Sequence, residues 1–139
     1  MIATRHATGF TVTGIDHVVL RVRDLDRSLD FYTRVLGCPV ERRQDEIGLV
    51  QLRAGSSLID LVSVDGVVGR RGGAAPGPDA HNLDHMCIRI AAFEPEAARE
   101  HLRRHGVEVE SEGVRYGANG EGMSFSIRDP EGNGVELRA

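Results

Sequence analysis

Lysine is absent from this chain of 139 residues, and all 17 basic residues are arginine. A chain without lysine has no Schiff-base nucleophile and no P-loop lysine. Tryptophan is also missing, and four Phe and two Tyr are too few to build a stacking platform for single-stranded nucleic acid. The formal charge of −4 gives no footprint for nucleic acid either. Cys38 and Cys87 are too few for a disulfide framework and lack zinc-motif spacing, as expected of reduced thiols in a cytoplasmic protein. No apolar run approaches a membrane span, and the opening MIATRHATGF has no signal-peptide core, so no membrane partner is expected. What remains is an ordinary globular balance, 40% hydrophobic and 27% charged, sized for one compact unit or two half-units sharing a core.

The second possibility is written into the chain. IDHVVLRV at residues 15–22 returns as LDHMCIRI at 83–90. Each is followed by a helical pattern. The first is DLDRSLDFYTRVLG, with Asp24 or Asp26 as N-cap, Leu29, Phe31, Tyr32, Val35 and Leu36 turned inward, and Gly37 as stop. The second is EPEAAREHLRRHG, with Pro95 in the first turn, Ala97, Ala98 and Leu102 inward, and Gly106 as stop. Alternating segments follow: 39–43, IGLVQLRA and LIDLVSV in the first half, and VEVESEGV, MSFSIRD and GVELRA in the second. The pattern predicts an α+β fold of two strand–helix–strand–strand–strand modules, about 13–65 and 81–139. A Gly/Pro-rich linker at 66–80 joins them, a flexible leader precedes them at 1–12, and their sheet faces shield each other across a central cleft.

Strand alternation puts His17 with Val19 and Arg21 on the cleft face, opposite Val18, Leu20 and Val22. His85 likewise falls with Cys87 and Arg89. Asp60 in LIDLV and Glu136 in GVELRA each sit between two apolar neighbours, where a carboxylate is costly unless something neutralises it. Two imidazoles and two carboxylates related by the repeat suggest one divalent metal ion: Zn, Ni, Mn or Fe(II). Asp60 either reaches that ion, directly or through water, or stays a surface carboxylate. His101 and His105 read as part of a solvated basic helix face, His6 and His81 take no role, and Cys87 reads as a wall of the cleft. Arg115 and Tyr116 are candidate contacts for an acidic or phenolic substrate group, with Gly117, Gly120 and Gly122 allowing their loop to close. Arg70 and Arg71 offer a further anion contact.

IDHVVLRVRDLDRSLDFYTRVLG, LIDLV, LDHMCIRI and IRDPEGNGVEL together resemble the vicinal oxygen chelate superfamily, also called glyoxalase/bleomycin resistance/dioxygenase proteins. The resemblance spans about residues 13–138 and is glyoxalase I-like. It implies paired βαβββ modules forming a U-shaped, barrel-like mixed sheet, with metal ligands at His17, Asp60, His85 and Glu136. Asp60 departs from the Glu or Gln of glyoxalase I-like members. The implied activity is Lewis-acid-assisted proton transfer on a small oxygen-chelating substrate, of lyase or isomerase type, with Glu136 as first and Asp60 as second candidate base. Two alternatives come with the resemblance: an Fe(II) ring-cleaving dioxygenase with a two-His, one-Glu triad, and a non-catalytic drug- or metabolite-binding resistance protein. It also implies a homodimer, with modules paired within one chain or across two.

Overall fold

The computed structural model describes residues 7–139; the first half of the expected leader lies outside the described residues. The elements run β1 (His17–Val22), α1 (Leu25–Asp30), β2 (Val40–Gln44), β3 (Leu49–Ala54), β4 (Ser57–Ser63), β5 (His85–Arg89), α2 (Pro95–Arg104), β6 (Ser111–Gly117), β7 (Gly120–Arg128) and β8 (Gly134–Arg138). They form two four-stranded sheets ordered β1-β4-β3-β2 and β5-β8-β7-β6. In each sheet the first strand lies parallel to the last and the others are antiparallel, so the duplication is realised twice over. The sheets stay separate and do not close into a barrel.

One core holds both modules. Leu20, Val22, Leu52 and Leu61 from the first pack in the same cluster as Phe125, Ile127, Val135 and Leu137 from the second. Burying such side chains contributes roughly 1.5–3 kcal/mol each before entropy is counted. Asp24 caps α1 by accepting from the Arg27 N–H at 3.0 Å. Past Asp30 the helix widens into a π turn over Phe31–Val35, which allows the consecutive Phe31 and Tyr32 both to turn inward. On α2, Leu102 and Ala98 face the core, whereas Ala97, expected inward, is exposed. Gly106 ends α2 at φ 69°, where Val107 N–H donates to Leu102 O at 2.9 Å in a six-residue return. Gly37 ends the first helix at φ 74°.

Polar latches cross between the modules. Tyr32 Oη donates to Asp129 Oδ2 at 2.7 Å, and Asp129 also accepts from Asn133 and from the Glu131 N–H. The Glu131 carboxylate in turn accepts from the backbone N–H groups of Arg23 and Asp24 at 2.7 and 3.2 Å, covering the start of α1. The Asn82 side chain bonds both the N–H and the C=O of Arg21 along the free edge of β1.

The Gly/Pro-rich linker, too irregular in sequence to predict an element, contains one. A 3-10 turn over Gly69–Gly72 is held by the Arg21 guanidinium, which donates to the carbonyls of Gly69, Gly72, Gly73 and Ala74 at 2.7–3.2 Å. A Cβ at Gly69 would lie 1.8 Å from Ser63 O, so only glycine fits there. The segment around Arg115 and Tyr116, expected as a closing loop, is a β-hairpin: β6 begins at Ser111 rather than at 107, so Arg115 and Tyr116 lie on a strand.

Candidate metal and substrate site

The two Asp-His pairs have the same geometry. His17 Nδ1 lies 2.7 Å from Asp16 Oδ1, and His85 Nδ1 lies 2.6 Å from Asp84 Oδ2. A carboxylate only accepts, so Nδ1 is the donor in each pair, and the neutral form of either ring has its lone pair on Nε2. This orientation by a carboxylate behind the imidazole is the one metal-binding histidines use. The Asp16 hydrogen bond, with the Asp60 charge next, raises the His17 pKa, and the His85 hydrogen bond holds Asp84 below its usual range.

Each histidine shares its sheet face with the acid of its own module. In the first sheet Asp60 pairs in register with Val19, two positions along from His17. In the second, Glu136 pairs with Cys87, two positions along from His85. His85 Nε2 stands 3.7 Å from Glu136 Oε2. The side chains of His17 and His85 are about half exposed, that of Glu136 is 13% exposed, and Asp60 is 4% exposed. Gln51, directly across from Asp60 on β3, donates to both its carboxylate oxygens at 3.2 and 3.3 Å. This answers how Asp60 is tolerated among apolar neighbours.

The donors thus gather as two pairs, one on each sheet. Among the described residues of one chain, no three His, Cys, Asp or Glu side chains converge as a metal cluster. The donor chemistry nevertheless fits a divalent ion, with two free imidazole nitrogens and two carboxylates in equivalent positions.

A cleft of about 980 Å³ opens beside the second pair, with His85, Glu136, Ser111, Ser126, Arg115 and Arg128 in its lining. Arg115 projects to the cleft side of β6; Tyr116, next in the strand, alternates to the opposite face and is 83% exposed, so the two are not brought together. Cys87 lies on the His85 face, its thiol pushed up to about 11 by desolvation and then by Glu136. Arg70 and Arg71 belong to the 3-10 turn that Arg21 holds. Gly117 and Gly122 make room for the Arg138 guanidinium, which donates at 2.8 Å to the carbonyl of Gly120, a turn residue at φ 98°. His101 Nε2 bonds Val35 O at 2.8 Å and helps join the helices.

Gln51, Ser111 and Ser124 are the site residues that the sequence reading missed. The Gln51 signal was present, a polar residue alternating with Val50 and Leu52 opposite an acid. The serines depended on the β6 register.

Fold and residue pattern define a duplicated βαβββ protein, and the chain belongs to the Glyoxalase/Bleomycin resistance protein/Dioxygenase superfamily, whose profile matches residues 14–137. Among its relatives, the glyoxalase domain-containing protein RDO1 of Mycosarcoma maydis is 33% identical over 134 residues, covering 96% of this chain and 72% of that one. Virulence protein STM3117 of Salmonella typhimurium is 32% identical over 124 residues, 88% of this chain and 81% of that one. The crystal structure of STM3117 superposes with a TM-score of 0.77, covering 93% of this chain and 98% of that one. The structure of lactoylglutathione lyase from Agrobacterium tumefaciens is 26% identical with a TM-score of 0.66, covering 92% and 94%. No described helix is long and apolar enough to cross a membrane.

Proposed function

We propose that this chain is a metal-dependent lyase or isomerase that moves a proton between adjacent carbons of a small oxygen-chelating substrate. The observation that carries this reading is the pair of equivalent Asp–His dyads, each leaving Nε2 free on the same sheet face as an acid. The lyase among the structural relatives supports the reaction class.

Because one chain presents the donors as two pairs, the site is completed between copies: His17 and Asp60 of one copy and His85 and Glu136 of a second would hold one divalent ion. The bound ion would supply Lewis acidity that stabilises negative charge on a substrate oxygen. Glu136, largely buried beside His85, takes the proton through a carboxylate oxygen and returns it to the neighbouring carbon. Asp60, tied to Gln51 through both oxygens, is the less available base and helps position the first half of the site. His17 and His85, each fixed from behind by aspartate, keep their orientation while the substrate exchanges.

The Gln51 contact favours one second reading: with Asp60 engaged, two His and Glu136 remain as the facial triad of an Fe(II) dioxygenase. Oxygen uptake with Fe(II) and a catechol panel separates the two.

Titration with Mn, Zn and Ni tests the metal-dependent reading. About one ion per chain is expected for the wild type, with loss of uptake in His85→Ala. A wild-type chain that takes up no divalent ion overturns it.

A further inference from the structure

Three arginines line the cleft beside His85 and Glu136, and two of them face carboxylates. Arg128 Nε lies 3.1 and 3.2 Å from the two oxygens of Glu110, and Arg23 Nε lies 3.8 Å from Glu131. Arg115 is different. Its Nη1 donates to Ser124 Oγ at 2.6 Å and more weakly to Ser124 O at 3.4 Å, and its Nη2 donates to Ser111 Oγ at 3.1 Å. Among the described residues it has no carboxylate within ion-pair distance. Hydroxyls orient a guanidinium without cancelling its charge. A chain of net charge −4 therefore keeps one half-buried, uncompensated cation fixed in its cleft.

The ladder gives this cation an address. Ser111 pairs with Ser126, and Ser126 with Glu136, so the guanidinium bound to Ser111 lies two strands from the proposed base. Two strand spacings are roughly 10 Å. With neutral partners on both terminal nitrogens and Nε–H unengaged, the fork can take a two-oxygen anion, and its rotamer is already set.

We infer that Arg115 anchors an oxyanion group of the substrate, which makes the substrate a short molecule with a phosphate-like or carboxylate group at one end and chelating oxygens at the other. This rests on reading the cleft as the substrate site, and it deepens that reading. An apolar drug or a neutral catechol leaves the Arg115 charge desolvated and unpaired, which disfavours both.

Calorimetric titration of the metal-free 139-residue chain with inorganic phosphate, and separately with acetate, at constant ionic strength tests the assignment. Saturable binding of at least one anion is expected, and the tighter one identifies the group. Arg115→Gln should weaken it roughly 10- to 100-fold, the span of one lost charge-assisted contact, and Arg115→Lys should recover part of the loss. Should Arg115→Gln fail to fold, the Ser111→Ala/Ser124→Ala double variant, which frees the fork, should weaken binding several-fold. Because these titrations use metal-free protein, failure of metal uptake and failure of this assignment are read separately. No saturable binding of either anion, or equal binding by wild type and Arg115→Gln, overturns it.

Discussion

His17→Ala and His85→Ala, each unable to hold an ion alone, should restore metal binding when their chains are mixed. The magnitude follows from where the donors lie. Each chain carries one His–acid pair on each sheet, and no three donors converge within one chain among the described residues. If a site takes its first half from one copy and its second half from another, a mixed dimer has one site with both lesions and one with none. Random re-pairing of equal amounts makes half the dimers mixed, so about a quarter of all sites become intact. If both halves of a site belong to the same chain, mixing restores none. Distinguishable affinity tags on the two variants, subunit exchange through mild denaturant, and Mn(II) titration of the doubly tagged fraction provide the assay. Doubly tagged dimers that bind no ion, while wild-type dimers treated alike do, would refute the shared site.

Three further outcomes follow from the geometry. Asp84→Asn removes the carboxylate behind His85 and should lower metal affinity roughly 10- to 100-fold without unfolding the chain, measured by competition with a chelator. Tyr32→Phe removes a 2.7 Å hydrogen bond to the buried Asp129 carboxylate and should cost about 2 kcal/mol in urea unfolding; a loss within experimental error would show that the latch carries no net stability. In metal-free protein Cys87 should alkylate slowly at pH 8 and faster as pH climbs towards about 11, because the thiolate is the reactive form and its pKa is raised; Glu136→Gln should speed the reaction at fixed pH, and full reactivity at pH 8 would contradict the assignment.

The duplicated fold was legible because each half repeats three signals of different physical origin: an alternating strand headed by Asp-His, a helix closed by glycine, and a final strand with one acid. Gly37 and Gly106 adopt the positive φ that a stop requires, and Cys87 and Glu136, each assigned by alternation to the polar face of its strand, lie side by side in the ladder. Local pattern failed where a distant partner decided. The Gly/Pro-rich linker offers no local pattern for an element, but Arg21, 48 positions before Gly69, supplies bonds that hold a 3-10 turn there. Val107–Glu110 alternates like a strand, yet pairing with β7 begins at Ser111, and this moved Arg115 onto the sheet. The partner of Asp60 could not be read from spacing alone, since it depends on which β3 residue lies across the ladder. The site is therefore legible as residue types on faces, and not as distances between sheets.

The contact between Tyr32 and Asp129, reinforced by Glu131 over the start of α1, spans 97 positions of sequence. It makes the two repeats unequal heirs of their common pattern. A fragment ending in the linker would expose the Tyr32 hydroxyl in an apolar setting, and the complementary fragment would leave a buried carboxylate one donor short. The halves share this latch as well as a core, so a polypeptide severed at 66–80 should keep the fold only when its two pieces find each other again.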